Sequence, residues 1–325
     1  MMRPEFDRYQ IEILSPVHIG NDTQSTPIEF HHDDDFVYTY RLEDIANLIE
    51  DPKRLLETKH GRITLKSVIG ETALSNLEPL KKIHYWGDEN DISHQELELL
   101  VEESGENFLP GSSLKGSILH AFEFRHFQKL LNGDKKTFFD LVNNFQKSFA
   151  VPDLYFEHIE TAIQRGVRIT TSTKQSSKNK QRQDNYKEWL MEGKTHHFDA
   201  YFRRKRTPDL LDAIHVFTER FLTYQKSYYE YIMDKMDLRN HPLDFEEVQE
   251  VLKQIERFRA KNKPDEPVLI LGRNAHRYSK SNELHFNQRY KKESGKNLKH
   301  PVSRLLVYDA KDSLSIPGMV HIKRR

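Results

Sequence analysis

Residues 109–116, Leu-Pro-Gly-Ser-Ser-Leu-Lys-Gly, carry the clearest chemistry in this sequence and lead directly into apolar residues at helical spacing. Gly111 permits backbone angles that other residues avoid, and Ser112 or Ser113 can cap the helix. The free N–H groups at the helix start, together with Lys115, predict a site for a phosphate. The segment does not match G-x-x-x-x-G-K-S/T, so nucleotide hydrolysis is not predicted. The alternative is an ordinary helix start.

Two other segments hold groups that can act in phosphodiester cleavage. Residues 31–35, His-His-Asp-Asp-Asp, suit a divalent cation, or they form an acidic hairpin tip. His18, in the turn Ser-Pro-Val-His-Ile-Gly, can act as a general base, or it can hold the turn. The 17 histidines form no H-E-x-x-H or other metal-binding spacing. We therefore predict no catalytic residue, no metal site and no cofactor.

The composition excludes several classes of protein. The chain has 325 residues and no cysteine, which rules out a disulfide framework, a thiol nucleophile and a cysteine zinc site. Its length suggests two domains. The first 20 residues lack the pattern of a signal peptide, and no window is apolar enough to span a membrane. We therefore expect a cytoplasmic protein.

The charge is balanced in total, with 50 Lys and Arg against 50 Asp and Glu, but it is unevenly placed. Residues 1–107 hold 10 basic against 23 acidic side chains, whereas residues 161–210 hold 12 against 5 and residues 268–325 hold 13 against 4. Two basic blocks in an otherwise acidic chain predict a local positive surface for phosphates. Either block can also be a solvated face without a function.

Strand and helix patterns are mixed along the chain without a fixed repeat, which predicts an α+β fold. Residues 59–107 are acidic with weak periodicity and are interpreted as a peripheral insertion. Residues 171–184 contain no hydrophobic residue and predict a mobile, basic loop. Strands are predicted over 8–14, 161–170, 268–271, 304–308 and 319–322, a hairpin over 27–40, and helices over 42–55, 114–127, 138–149, 209–235 and 245–260.

Two separated motifs, residues 13–20 (Ile-Leu-Ser-Pro-Val-His-Ile-Gly) and residues 109–116, resemble the RAMP superfamily of CRISPR-associated proteins. The order of the parts is most similar to the fifth Csm subunit of type III-A effector complexes. Residues 269–280 are similar to a glycine turn of that subunit, and residues 315–322 to its closing strand.

The resemblance implies two ferredoxin-like (RRM-like) RAMP domains with helical insertions. The first would span residues 1–205, with the acidic insertion at 59–107 and the basic loop at 171–184, and the second residues 206–325. It also implies a noncatalytic subunit that binds CRISPR RNA (crRNA) near its 3′ end and contacts other Csm subunits, including the backbone RAMP subunit. That role supports crRNA maturation, with trimming by host nucleases, and antiviral defence, without a membrane partner.

A guide RNA of variable sequence needs contacts to phosphate and sugar that do not depend on the bases. The basic loop and residues 203–206 are expected to clamp the strand, and Tyr278 can stack on a base. The predicted RNA-binding residues are His18, Gly20, Gly111, Ser112, Ser113, Lys115, Arg273, Arg277, Tyr278 and Lys280.

Two alternatives of another class stay open. One is a RAMP endoribonuclease, which would be metal-dependent through Asp33, Asp34 and Asp35, or metal-independent through His18. The other is a protein-only scaffold subunit that uses the acidic residues 59–107 as its docking surface.

Overall fold

Helices and strands are mixed throughout the part of the chain that the structure, a computed structural model, describes. That part comprises residues 5–49, 63–86, 92–103, 106–155, 161–170, 181–202, 207–235, 243–272, 303–308 and 313–325. The α+β class predicted from the sequence is confirmed.

The described residues form seventeen strands and seven helices. The strands are β1 (Glu5–Ile13), β2 (Gly20–Ser25), β3 (Phe30–His32), β4 (Phe36–Thr39), β5 (Lys81–Tyr85), β6 (Leu97–Leu100), β7 (Glu102–Glu103), β8 (Glu106–Leu109), β9 (Phe149–Ala150), β10 (Leu154–Tyr155), β11 (Thr161–Thr170), β12 (Gln181–Leu190), β13 (Thr195–Phe202), β14 (Val268–Ile270), β15 (Ser303–Tyr308), β16 (Leu314–Ser315) and β17 (Met319–Arg324). The helices are α1 (Leu42–Ala46), α2 (Leu65–Ile69), α3 (Glu71–Asn76), α4 (Gly111–Leu131), α5 (Lys135–Ser148), α6 (Thr207–Lys235) and α7 (Phe245–Lys261).

A five-stranded sheet, in the order β14-β17-β1-β13-β9, joins the first and the last described strands. β1 pairs antiparallel with β13 on one side and with β17 on the other. Tyr9, Ile11 and Ile13 of β1 are buried and alternate with polar residues, as the sequence pattern predicts for a half-buried strand. This sheet therefore contains strands from both sides of the predicted boundary at residue 205.

A nine-stranded sheet has the order β2-β6-β12-β11-β5-β4-β3, and β15 and β16 extend from β11. β5 and β6 lie inside it and pair parallel with β11 and β12. The interpretation of residues 59–107 as a peripheral insertion is therefore wrong for these two strands. Ile83 and Leu97 are fully buried, but the acidic residues around them weakened the alternation that marks a strand.

The hairpin of β11 and β12 is longer than the sequence predicts. The sequence predicts that residues 181–184 belong to the basic loop, but they belong to β12 and pair with residues 167–170. Hairpin pairing uses backbone groups and needs no apolar side chain, so composition alone placed these residues in a loop. The rest of the predicted loop, residues 171–180, lies outside the described residues.

Aromatic side chains join the long helices to each other. Phe122 of α4 stacks on Phe145 of α5 with 4.2 Å between ring centroids, and Phe124 of α4 meets Phe217 of α6 edge-on at 5.4 Å. The 19 Phe and 14 Tyr of the chain supply large apolar surfaces for such packing. Among the described helices, none is long and apolar enough to cross a membrane.

Candidate nucleic-acid interface

The turn that follows β1 is fastened to the start of β17. Backbone N–H groups of Leu14 and Ser15 donate to the carbonyl oxygen of Met319 at 2.9 and 3.2 Å. The Ser15 hydroxyl oxygen in turn accepts a hydrogen bond from the Met319 N–H at 2.9 Å. The N–H of Gly318 donates to the Pro16 carbonyl at 2.8 Å. The Ser-Pro-Val-His-Ile-Gly motif is therefore held from both sides of its proline.

Two glycines lie at the junction between this turn and β17, at positions where no side chain fits. Gly318 has φ +85°, and an added Cβ would lie 2.1 Å from the Leu271 carbonyl oxygen. Gly272 has φ +91°, and an added Cβ would lie 2.7 Å from the His18 carbonyl oxygen. Both angles favour glycine. Three motifs that are distant in sequence, at residues 13–20, 269–272 and 315–322, thus meet in one place.

His18 lies inside this junction, with only 3% of its surface exposed. Its Nδ1 donates to the carbonyl oxygen of Glu188 at 2.8 Å, and its Nε2 lies 3.5 Å from Glu98 Oε2. The ring also meets Trp189 edge-on at 5.6 Å. Gly20 is required beside it, since an added Cβ would lie 2.8 Å from His18 Nε2. The structure therefore gives His18 and Gly20 a role in holding the turn.

Glu98 joins His18 to a buried lysine. Hydrogen bonds from His18 and from Lys187 lower the pKa of Glu98 to about 2, against the opposing effect of burial. Lys187 forms an ion pair with the same carboxylate. Burial lowers the pKa of Lys187, although Glu98 opposes this shift. The side chains of Glu98, Lys187 and His18 thus form one polar cluster beside the turn.

Glu188 forms a second cluster on the other face of β12, because neighbouring residues of a strand point to opposite faces. Its carboxylate is completely buried. It accepts hydrogen bonds from Lys81 Nζ at 2.7 Å, Thr161 Oγ1 at 2.6 Å, the Leu100 N–H at 3.0 Å and Asn107 Nδ2 at 3.2 Å. Sequence reasoning missed this cluster, although two adjacent charges between Tyr186 and Trp189 were a signal.

Helix α4 begins at Gly111, but neither Ser112 nor Ser113 caps it, so the capping prediction is wrong. The Gly111 N–H donates instead to Asp153 Oδ1 at 2.7 Å, from the connection between β9 and β10. An added Cβ on Gly111 would lie 2.2 Å from the Val151 carbonyl oxygen. The carboxylate of Asp153 therefore occupies the position predicted for a phosphate at this N–H group.

The next turn of α4 presents an open polar face. Ser112 is exposed, and Ser113 and Lys115 are partly exposed. Among the described residues, no side-chain partner of Lys115 is found. An added Cβ on Gly116 would meet no heavy atom within 4 Å. This part of the predicted site is accessible to a ligand, whereas its first N–H group is taken.

The other predicted RNA contacts cannot be placed beside α4. Arg273, Arg277, Tyr278 and Lys280 lie outside the described residues, as do residues 203–206. The structure therefore brings together the motifs around His18, Gly20, Gly272 and Gly318, and places Lys115 on an open helix face.

The acidic hairpin between β3 and β4 has a structural explanation. Asp33 Oδ1 accepts the N–H groups of Asp35 and Phe36 at 3.0 and 2.7 Å, and Asp33 Oδ2 accepts the Tyr38 hydroxyl at 2.9 Å. Backbone and tyrosine hydrogen bonds lower the pKa of Asp33, although burial opposes them. Within the described ranges, no group of three or more His, Asp or Glu side chains is placed to hold a metal ion.

Comparison with protein-family models decides the family. The model of the RAMP superfamily matches residues 10–267. The chain belongs to the RAMP superfamily. A search of curated proteins finds no match.

Two solved structures share the fold of this RAMP protein. One is a chain of the cryo-EM structure of a Csm–crRNA–target RNA ternary complex in a type III-A CRISPR-Cas system, with TM-score 0.68, 13% identity, and coverage of 98% of this chain and 100% of that chain. The other is the crystal structure of T. onnurineus Csm5, with TM-score 0.63, 14% identity, and coverage of 96% and 99%. At these identities, the likeness concerns the fold.

The carboxylate of Glu98 makes the stability of this RAMP protein depend on pH. Its folded pKa, about 2, lies below the ordinary value of 4.5, so its stabilising effect is complete above pH 4.5 and is lost as the pH falls towards 2. We expect Glu98→Gln to lower the melting temperature at pH 7 and this difference to shrink between pH 4.5 and 2. Circular dichroism melts of wild type and variant measure it. The exposed Glu43→Gln serves as control, and a difference constant with pH would contradict the assignment.

Proposed function

We propose that this RAMP protein is the crRNA-binding subunit that caps the 3′ end of a type III-A Csm ribonucleoprotein and supports crRNA maturation and antiviral defence. The observation that carries the proposal is the open face of α4 with Ser112, Ser113 and Lys115, in a chain whose fold is like Csm5. Hydroxyl and ammonium donors bind phosphate and sugar whatever the base. A guide whose sequence varies requires that kind of contact.

The proposal includes the parts of the assembly. The partners are crRNA and other Csm subunits, among them the backbone RAMP subunit, and host nucleases trim the 3′ end. Two ferredoxin-like domains, residues 1–205 and 206–325, belong to the same proposal. The pairing of β1 with β17 would then join the two domains within one sheet.

The subunit is proposed to be noncatalytic. His18 is buried and uses Nδ1 to hold the turn, which leaves it poorly placed as a general base for a bound strand. Asp33 uses both carboxylate oxygens within its own hairpin. Both features support a binding role over the endoribonuclease alternatives.

Labelled single-stranded RNA incubated with the purified chain tests this absence of catalysis. We expect no cleavage with or without Mg²⁺ beyond that of a buffer control, measured on denaturing gels. Cleavage that disappears in a variant with Asp33, Asp34 and Asp35 changed to Ala would establish a metal-dependent nuclease. Cleavage lost only in His18→Ala would establish the metal-independent one.

Lys115 is the cation of the proposed RNA contact. We expect Lys115→Glu to weaken binding of single-stranded RNA at least about tenfold, because a charge-assisted contact is worth roughly 1.5–3 kcal/mol. The negative slope of log K against log salt should become shallower by about 0.7, because one phosphate contact is lost. Gel-shift titrations at several salt concentrations measure both. Lys136→Glu, on the exposed first turn of α5, is the matched control. Equal affinities of the two variants would remove Lys115 from the site.

Gly116 offers a test in which stability and binding move in opposite directions. Glycine inside a helix costs about 0.8–1 kcal/mol relative to alanine, and an added Cβ on Gly116 would meet no other heavy atom within 4 Å. Gly116→Ala should therefore raise the free energy of unfolding by up to about 1 kcal/mol. It should also weaken RNA binding, because a methyl group would separate the strand from the helix backbone. Urea unfolding and gel shifts measure the two effects, and unchanged RNA binding would place the strand elsewhere.

Gly111→Ala, by contrast, should destabilise the fold, since the Val151 carbonyl oxygen blocks the added Cβ.

A further inference from the structure

One face of β4 and β5 carries rings and a cation in a compact block. Cross-strand register places Phe36 opposite His84 and Tyr38 opposite Lys82. Directly opposed residues point to the same face of a sheet, so these four side chains form two adjacent rows. Lys82 is exposed, and the other three are partly exposed. The block is therefore accessible from outside the protein.

The side chains of the block lie close to one another. Lys82 Nζ lies 3.7 Å from the Phe36 ring centroid and 5.4 Å from that of Tyr38. The His84 and Phe36 rings are 4.7 Å apart, and the Phe36 and Tyr38 rings are 6.2 Å apart. Among the described residues, no carboxylate lies within ion-pairing distance of Lys82. Lys82 acts on the carboxylate of Asp33 through space and helps to lower its pKa, but it forms no ion pair with it, so the exposed ammonium can still pair with an anion from outside.

The hydrophobic core accounts for only part of the block, because Tyr38 packs against a cluster that holds Ile45 and Leu65, whereas Phe36 belongs to none of the described clusters. On the opposite face of the same strands, Val37 and Ile83 are fully buried in a hydrophobic cluster with Phe30 and Tyr85. That face anchors β4 and β5 by itself. On the other, accessible face, the partly exposed phenyl ring of Phe36 is unusual for a solvated sheet surface, where polar side chains are typical.

We propose that this face is a second contact for single-stranded RNA, in which unpaired bases stack on Phe36 and Tyr38 and a backbone phosphate pairs with Lys82. The inference rests on the RNA-binding function proposed for the chain and assigns it a contact separate from α4. Base-stacking rings beside a cation are the common means of holding a single strand, because every base has a π face. An exposed ammonium that forms no direct ion pair can pair with a backbone phosphate.

Two variants of the full chain separate the stacking from the charge. With a 20-nucleotide oligouridine at fixed salt, Phe36→Leu should weaken binding roughly 5- to 100-fold, the range for one lost stacked base, with the salt slope unchanged. Lys82→Gln should make the negative slope of log K against log salt shallower by about 0.7. An abasic strand of equal length should bind wild type and Phe36→Leu alike. Ultraviolet crosslinking of 5-iodouridine RNA should label the peptide that holds residues 36–38.

The controls are matched in chemistry. Phe139→Leu removes another exposed phenyl ring, and Lys253→Gln another exposed ammonium, both far from β4 and β5 in sequence. RNA affinities of Phe36→Leu and Lys82→Gln equal to these controls, with the Lys115 effect intact, would overturn this contact and leave the proposed function standing. If the two variants bind RNA as the wild type does, but less of each variant enters the assembled ribonucleoprotein, the face is a protein contact and the proposal is overturned. Wild-type protein that binds no RNA would refute both.

Discussion

The buried carboxylate of Glu188 sets the arrangement of the large sheet. A buried charge is tolerated only when it is paired and its lone pairs are filled, and here the donors come from four different strands. Lys81 lies on β5, Leu100 on β6, Asn107 on β8 and Thr161 on β11, all directed at one side chain of β12. A shift of any one of these strands by one residue would remove one of the four donors from a completely buried carboxylate. The cluster thereby specifies register where parallel pairs such as β5–β11 are short.

The backbone of the same residue carries this constraint to the family motifs. The Glu188 carbonyl accepts the hydrogen bond from His18 Nδ1. This bond holds the turn after β1 against β12, in the middle of the large sheet. Its neighbour Lys187 holds Glu98 on the opposite face, next to His18 Nε2. The family motifs are therefore positioned by direct contacts among three parts: the turn after β1, the glycines at 272 and 318, and the large sheet.

The sequence predicts the parts of this unit better than their assembly. Residues 13–20, 269–280 and 315–322 were recognisable as motifs because glycine and proline punctuate them. Their meeting depends on the pairing of β1 with β17, which no local pattern encodes. The sequence does not predict Asp153 as the partner of Gly111, because the two are 42 residues apart and the adjacent serines are the more obvious candidates to cap the helix. The strand β6 was missed because Glu98, a member of a buried ion cluster, reads as a surface residue in isolation.

The hydrogen bond between Ser15 and Met319 spans 304 residues, which has a consequence for how the molecule forms. Contacts of such high sequence separation close late, after local helices and hairpins, because the entropy of the intervening chain opposes them. During synthesis, Ser15 stays without its partner Met319 until residue 319 has left the ribosome. A nascent chain can thus complete the helix α4 long before the junction around His18.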